Sequence, residues 1–260
     1  MEKSAAITLQ DLSIGYGKGK TQTVVAKDID LTIKTGGLYG LIGINGAGKS
    51  TLIKTLNGSL NPLQGKVWFD KQQLKSLSPT ERAKLFSVVL TKSPISLNLS
   101  CYELIALGRH PYTNWMGVLR EQDKQAVEDA LLKTDLLELK DRKCFELSDG
   151  QLQRALLARA IAQHTPLIIL DEPTTHLDMH HKFKMLKLMD ELAAEGKTII
   201  YATHDLEQAL DLCDELLIFQ GTQIVMHTPE SAVETGIIGQ LFPEQTVKFD
   251  ASNKRFFLNK

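Results

Sequence analysis

The chain has 260 residues, of which 43 % are hydrophobic and 23 % are charged, so it can bury a sizeable core as one large α/β unit or as a core with an inserted subdomain. Its 30 basic and 31 acidic residues leave a net charge of −1, which argues against a nucleic-acid-binding protein that relies on a positive surface. The three cysteines form no Cys-x-x-Cys pair, and no apolar segment approaches the ~18 residues of a membrane helix. We therefore expect a cytosolic chain without a disulfide framework or zinc knuckle, neither exported nor spanning a bilayer.

Strand-like and helix-like patterns alternate along the chain. Residues 29–34 alternate between apolar and polar, as in a half-buried strand, whereas residues 38–42 are apolar throughout, as in a strand covered on both faces. Apolar strands that alternate with helices predict a parallel sheet, with lateral strands and a helical insertion at about residues 92–160. In chain order we predict strands at 7–16 (interrupted near Asp11), 29–34 and 38–42, a helix at 48–57, a strand at 67–69, helices at 78–85, 122–133 and 147–163, a strand at 167–170, a helix at 182–194, a strand at 198–203, a hairpin of 215–220 and 223–227, a helical stretch at 229–240, and a hairpin of 247–250 and 255–258.

A glycine-rich segment follows the strand at 38–42. Residues 43–50 fit the pattern G-x-x-x-x-G-K-[ST] and lie between a buried strand and a helix, which is the context that this phosphate-binding motif needs. The glycines let backbone N–H groups converge on phosphate oxygens, Lys49 neutralises β- and γ-phosphate oxygens, and the Ser50 hydroxyl can bind Mg²⁺. The phosphate-binding residues predicted here are Gly43, Asn45, Gly46, Ala47, Gly48, Lys49, Ser50 and Thr51.

Two further polar segments are candidates for chemistry. Asp171 and Glu172 end a buried strand, the edge at which α/β sheets bind ligands, although such a pair taken alone is as often a solvated loop. With a phosphate loop in the chain, Asp171 would hold Mg²⁺ through water and Glu172 would accept a proton from the attacking water. Ser148 and Gln151 have the spacing of a capping box before a helix, so residues 147–151 are either a helix cap or a second phosphate cradle.

Together these motifs point to a family. Over about residues 5–230 the chain resembles the ATP-binding subunits of ABC transporters. Residues 147–151 resemble the LSGGQ signature, residues 168–178 resemble the Walker B strand and D-loop, and residues 201–205 resemble the switch-histidine segment. Tyr16 occupies the position of the aromatic residue that stacks on adenine.

The resemblance implies a fold and a division of the chain. The fold is an α/β P-loop NTPase with a RecA-like core, an antiparallel β subdomain and an inserted α-helical subdomain at about residues 92–160. Residues 1–230 would form this ATP-binding domain, and residues 231–260 would form a short C-terminal extension packed on the core.

The resemblance also implies a mechanism that needs two copies of the chain. In the family, two nucleotide-binding domains pack head to tail and enclose two ATP molecules. Ser148, Gly150 and Gln151 of one copy would therefore contact the nucleotide that the other copy holds. Hydrolysis would separate the copies, because contacts to the γ-phosphate are lost.

The remaining roles implied by the family fall on three residues. Glu172 would polarise the attacking water, His204 would hold and sense the γ-phosphate, and Asp178 would link the two sites across the interface. Lys49 completes the catalytic set, and Ser50 and Asp171 are the expected contacts to Mg²⁺.

Two positions depart from the family pattern. Thr91 stands where the family has the Q-loop glutamine, and it is too short to reach Mg²⁺ and water as glutamine does, so its hydroxyl would act through a bridging water. Asp149 replaces the first glycine of the signature. Because a carboxylate pointed at a triphosphate would repel it, we predict that Asp149 faces away, in the first helical turn, where acidic residues are favourable.

Within the family, residues 101–112 resemble a segment of the importers of iron–siderophore, haem and vitamin B12, although an amphipathic helix with a Gly-Arg end is the alternative. The resemblance implies a homodimer on two transmembrane permease subunits, at the cytoplasmic face of the cell (inner) membrane, with cargo delivered by an extracytoplasmic solute-binding protein and no nucleic acid as partner.

A soluble non-transport ABC-type ATPase is the alternative, but such proteins usually carry two cassettes, coiled coils or zinc modules. A GTPase or small-molecule kinase would not explain residues 147–151 or His204.

Several conspicuous side chains are interpreted as structural. His176, His180 and His181 lie within two helical turns, but without a carboxylate or cysteine at matching spacing they do not predict a metal site. Cys213 is expected to pack beneath the hairpin of 215–220 and 223–227 rather than to react. Arg154 and Arg159 are expected to be structural or solvated.

Overall fold

The computed structural model of the chain describes residues 4–90, 95–175, 177–241 and 247–258. The strands are β1 (Ala5–Tyr16), β2 (Thr23–Lys34), β3 (Gly37–Ile42), β4 (Gln64–Phe69), β5 (Gln72–Gln73), β6 (Phe86–Val89), β7 (Leu167–Asp171), β8 (Thr198–Ala202), β9 (Glu215–Gln220), β10 (Gln223–His227), β11 (Val247–Asp250) and β12 (Arg255–Leu258). The α-helices are α1 (Lys49–Leu56), α2 (Pro79–Leu85), α3 (Cys101–Ala106), α4 (Glu121–Lys133), α5 (Asp149–Ala162), α6 (Met179–Ala194), α7 (Leu206–Leu212), α8 (Pro229–Glu234) and α9 (Ile237–Gln240). Short 3₁₀ helices are formed by Gly19–Thr21, Leu74–Ser76, Leu107–Tyr112, Leu137–Leu139 and Cys144–Glu146.

The chain divides into two compact units, one made of Met1–Ser76 and Thr198–Lys260 and the other of Leu77–Lys197. In the first unit, β2, β1, β4 and β5 form an antiparallel sheet in that order. The predicted interruption near Asp11 is confirmed, because the register of β1 against β2 shifts in this region and Asp11 has a left-handed backbone with φ of 46°. The domain boundary proposed at residue 230 stays a prediction.

The first unit also contains the strands β10, β9, β3 and β8, adjacent in that order. β3 pairs in parallel with both β8 and β9, and every residue of β3 and of β8 is buried. Burial on both faces explains why the sequence of these strands is apolar without alternation. Because β3 and β8 are parallel, the residues that follow Ile42 and Ala202 lie at the same edge of the sheet.

The second unit contains the parallel pair β6 and β7 together with the helices α2 to α6. The largest departures from the predicted helices concern α6 and the segment 229–240. α6 begins at Met179 rather than at Lys182, because the Asp178 side chain accepts a hydrogen bond from the His181 backbone and caps the helix. In the first unit, the predicted helical stretch 229–240 is two helices, α8 and α9, separated at Gly236, whose φ of 71° interrupts the helix.

The Gly-Arg end of the segment 101–112 joins several helices of the second unit. The segment forms α3 and a 3₁₀ helix, and Gly108 approaches α5 so closely that a Cβ there would lie 2.3 Å from the Arg159 carbonyl oxygen. The Arg109 guanidinium is buried and donates hydrogen bonds to Asp123 Oδ1 on α4 at 3.0 Å and to the Ala162 carbonyl at 2.8 Å. Arg109 therefore ties α4 to the end of α5.

We expect Asp123→Ala to destabilise the folded chain by about 3–5 kcal/mol at neutral pH, because it leaves the buried Arg109 without its counter-ion. Burial alone would raise the pKa of Asp123, but hydrogen bonds from the Arg120 backbone and from Arg109 outweigh it and hold this pKa below its ordinary value. The stabilisation is therefore fully present above the ordinary carboxyl pKa of about 4, and it is lost as pH falls through the lower pKa of the folded state.

Urea unfolding of both proteins at pH 7 and under acid conditions measures this difference, with Asp129→Ala, an exposed carboxylate on the same helix, as the matched control. The difference in the free energy of unfolding between wild type and Asp123→Ala should become smaller in acid, while the control variant should unfold like wild type at both pH values. A difference that is small at pH 7, or that becomes larger in acid, would show that the Arg109–Asp123 pair does not stabilise this unit.

The three cysteines are free and buried, with exposed fractions of 0 % for Cys101, 1 % for Cys144 and 7 % for Cys213. Burial raises the pKa of the Cys101 thiol to about 11 and that of the Cys213 thiol to about 12. The Cys213 thiol also donates to the Tyr201 hydroxyl at 3.5 Å. The interior position predicted for Cys213 is therefore confirmed.

Candidate functional site

The glycine-rich loop of the first unit connects β3 to α1, as predicted. Gly43, Gly46 and Gly48 have φ angles of 155°, 82° and 114°, values that residues with side chains rarely adopt. Gly48 is also close to its neighbours, since a Cβ there would lie 2.2 Å from Val25 Cγ1. At Gly46, by contrast, a Cβ would meet no atom within 4 Å, so this part of the loop has open space beside its backbone.

Lys49 is the first residue of α1, and it is only 7 % exposed. Its Nζ donates hydrogen bonds to the Gly43 carbonyl at 2.7 Å and to the Ile44 carbonyl at 3.4 Å. The amine therefore lies within the curve of the loop, at the N-terminus of a helix, where both the amine and the helix dipole favour an anion. Asn45 and Ser50 are exposed beside it, while Thr51 is buried.

Tyr16, at the end of β1, is tied to the helix that follows the loop. Its hydroxyl lies 3.0 Å from Thr51 Oγ1, although 35 residues separate the two in sequence. The ring itself remains 45 % exposed. A partly exposed ring that is fixed at its far end is suited to stacking on a flat ligand.

We expect Tyr16→Phe to weaken ATP binding about two- to tenfold and to leave kcat near wild type, because the ring is kept while its hydrogen bond to Thr51 is lost. Calorimetric titration with ATP measures the change. In a protein that already carries Thr51→Val, adding Tyr16→Phe should hardly change the affinity for ATP, since the two hydroxyls form one interaction. An undiminished effect of Tyr16→Phe in the double variant would mean that the tyrosine hydroxyl acts elsewhere.

His204 belongs to the same edge of the first unit as the loop. It follows β8, where the Thr203 backbone N–H donates to the Leu41 carbonyl of β3 at 3.1 Å. The next residue, Asp205, caps α7 by accepting from the Gln208 backbone N–H at 3.1 Å, and its own N–H donates to Thr203 Oγ1 at 3.0 Å. These bonds hold the turn that carries His204 beside the end of β3.

In the second unit, β7 ends at Asp171 and Glu172 turns the chain out of the strand. Glu172 has a φ of 50°, a left-handed conformation uncommon for a residue with a side chain and enriched at functional sites. The Thr175 hydroxyl donates to Glu172 Oε2 at 3.1 Å, and the Thr175 backbone N–H donates to the Glu172 carbonyl at 3.2 Å. The carboxylate is thus oriented by a threonine that the sequence pattern did not single out.

The signature-like segment begins α5 and forms the predicted capping box. Ser148 Oγ accepts from the Gln151 backbone N–H at 3.3 Å, and the Ser148 N–H donates to Gln151 Oε1 at 3.0 Å. Asp149 is exposed in the first turn, as predicted, whereas its orientation to a triphosphate stays a prediction. The segment remains both a helix cap and a helix N-terminus suited to an anion.

Gly150 of this segment lies against the start of α6. A Cβ on Gly150 would be 3.5 Å from both Leu177 Cδ2 and His181 Cγ. Asp178 caps α6 beside them. The second unit therefore brings the signature-like and D-loop-like segments together.

Thr91 and His176 lie outside the described residues. Within the described ranges, no group of three or more His, Cys, Asp and Glu side chains is placed to hold a metal ion. Nor does the described part of the chain contain a helix long and apolar enough to cross a membrane.

Comparison with known proteins identifies the family. The profile of the ABC transporter family matches residues 26–175, which is more than half of the chain. This chain belongs to the ABC transporter family. An ABC transporter ATP-binding protein of Methanocaldococcus jannaschii, itself uncharacterised, is 37 % identical over 90 % of this chain and 80 % of its own length.

Other ABC proteins support the same assignment. The ferric enterobactin transport ATP-binding protein of Escherichia coli is 33 % identical over 93 % of this chain and 88 % of its own length. The structure of cbiO1 from Clostridium perfringens, part of the ABC transporter complex cbiONQ, superposes with a TM-score of 0.76 at 27 % identity, covering 91 % of this chain and 96 % of that one. The predicted ABC ATPase fold is therefore confirmed, and the chain is an ATP-binding cassette with ATPase chemistry.

Proposed function

We propose that this cassette is the ATP-hydrolysing subunit of an ABC importer that takes up an iron–siderophore, haem or cobalamin-type substrate. The observation that carries the ATPase part is the loop between β3 and α1, with the buried Lys49 amine inside its curve. The importer type is supported by the E. coli relative, whose name assigns it to ferric enterobactin transport, and by the segment 101–112.

The phosphate loop supplies nucleotide binding. The amides of Gly46, Gly48 and the first turn of α1 donate to phosphate oxygens, and Lys49 turns from the loop carbonyls to the β- and γ-phosphates. Tyr16 stacks on adenine. By the family pattern the Ser50 hydroxyl and the Asp171 carboxylate would be the contacts to Mg²⁺, and each is an oxygen donor of the kind that this ion prefers.

Hydrolysis depends on two further side chains. Glu172 accepts the proton of the attacking water, and Thr175 keeps that carboxylate oriented. His204 contacts the γ-phosphate and responds to its loss. Mg²⁺, when bound, neutralises charge on the phosphate oxygens.

The cassette acts as a head-to-tail homodimer. Ser148, Gly150 and Gln151 of one copy complete the ATP site of the other, and Asp178 links the two sites. The dimer works on two transmembrane permease subunits at the cytoplasmic face of the membrane, and a solute-binding protein on the other side delivers the cargo. A soluble ATPase without a membrane partner is the competing function.

Co-purification tests the importer assignment. The tagged chain is expressed in its own cells, membranes are solubilised gently with ATP present, and the associated proteins are identified by mass spectrometry. A polytopic permease at one-to-one stoichiometry with the cassette is the expected result. Recovery only from the soluble fraction, with no membrane protein attached, would favour the non-transport ATPase.

A further inference from the structure

One histidine in the second unit is hydrogen-bonded to the D-loop-like segment and lies beside the signature-like segment. His181 lies in the first turn of α6, and its side chain is 31 % exposed. Its ring Nδ1 lies 2.7 Å from Asp178 Oδ2, and its backbone N–H donates to Asp178 Oδ1 at 2.9 Å. Both oxygens of the Asp178 carboxylate are therefore held by the same residue.

The chemistry of the pair fixes the direction of the ring hydrogen bond. The hydrogen bond from the His181 backbone, and to a smaller extent the one from its ring, lower the pKa of the Asp178 carboxyl below its ordinary value. The carboxylate is therefore ionised at neutral pH. An ionised carboxylate only accepts hydrogen bonds, and Nδ1 must therefore carry the hydrogen. A hydrogen bond to a charged partner is stronger than one between neutral groups.

The same side chain lies beside the signature segment. A Cβ on Gly150 would lie 3.5 Å from His181 Cγ and 3.7 Å from its Cβ, so His181 faces Gly150 with just enough room for a methyl group between them. His181 thus lies between the D-loop carboxylate and the N-terminus of α5. Within unit two these are the segments that the proposed dimer presents to the neighbouring copy.

We propose that His181 is a positioning residue, whose Nδ1–H holds Asp178 so that the D-loop and the signature present a fixed surface to the ATP of the second copy. The proposal rests on the proposed function, because that surface acts only in the ATP-enclosing dimer. The hydrogen bond is the essential part, and the position of the ring beside Gly150 is secondary.

Two substitutions separate the hydrogen bond from the packing. His181→Asn keeps an N–H donor at the position of Nδ1 but loses most of the ring, whereas His181→Phe keeps the ring and loses the donor. His180→Asn is the matched control, because His180 is an exposed neighbour on the same helix and packs edge-on against His181 at 5.6 Å between ring centroids. Steady-state ATPase assays give kcat and KM, and thermal unfolding shows whether each variant folds.

The hydrogen-bond proposal predicts a distinctive pattern. His181→Phe should lower kcat about tenfold or more at a melting temperature near that of wild type, with ATP binding to the separate chain unchanged, while His181→Asn and His180→Asn stay within about twofold of wild type. In a Glu172→Gln background, His181→Phe should also reduce the ATP-dependent dimer seen by size-exclusion chromatography.

Other patterns overturn the inference. Wild-type turnover in a folded His181→Phe protein would show that the bond to Asp178 is dispensable. A loss of turnover in His181→Asn with His181→Phe near wild type would assign the role to the ring instead, and equal losses in both variants would show that an N–H donor at this position is not sufficient. If wild type neither hydrolyses ATP nor dimerises with it, the proposed function fails first, which is distinguishable from a defect confined to His181→Phe.

Discussion

Glu172→Gln should slow ATP hydrolysis by about 10²- to 10⁴-fold, the contribution expected of a general base. The amide keeps the size of the carboxylate but cannot take a proton from water at neutral pH. ATP binding should be preserved, because the phosphate loop is intact. The variant should therefore accumulate as an ATP-bound dimer, since the step that separates the copies is blocked.

Phosphate-release assays measure the rate, and size-exclusion chromatography with light scattering measures the dimer. Glu128→Gln is the matched control, because it makes the same change at an exposed position of α4. Near-normal turnover in Glu172→Gln would mean that another group activates the water. Thr175→Val removes the hydroxyl that orients Glu172 but keeps the base. It should therefore slow ATP hydrolysis far less than Glu172→Gln does.

Lys49→Ala should abolish measurable ATP binding, a loss on the order of a hundredfold or more, because several charge-assisted hydrogen bonds to phosphate are removed together. The change also removes the amine from the Gly43 and Ile44 carbonyls, so the free loop loses an internal contact. Both effects reduce the ability of the loop to enclose a triphosphate.

Calorimetry with ATP, with and without Mg²⁺, measures the affinity. Lys54→Ala is the control, since Lys54 is an exposed lysine of the same helix, five residues further along. The control should bind ATP like wild type. Unchanged affinity in Lys49→Ala would contradict the assignment of the loop as a phosphate cradle.

The buried strands were predictable because their signal is local. β3, β7 and β8 are short apolar segments, and the structure places each within one residue of the predicted ends. The start of α6 was predicted three residues late, because its first turn, with His180 and His181, shows no apolar periodicity. The signal was nevertheless present, since Asp178 and the N–H of His181 have the spacing of a helix cap.

The contacts that orient the site were less predictable. The phosphate loop could be located from glycine spacing, but the bond between Tyr16 and Thr51 joins residues 35 apart and depends on how β1 lies against α1. Arg109 and Asp123 likewise meet only after the helices of the second unit have packed. A sequence pattern specifies the residues of a motif, whereas tertiary packing decides which neighbours hold them.

The burial of all three native thiols has a practical consequence. A thiolate is the species that maleimides and iodoacetamide attack, and these thiols are both shielded and, for Cys101 and Cys213, strongly disfavoured as thiolates. A spectroscopic probe can therefore be attached to a cysteine introduced at the surface without first replacing the native ones. Any labelling of the unaltered protein would then report opening of its core.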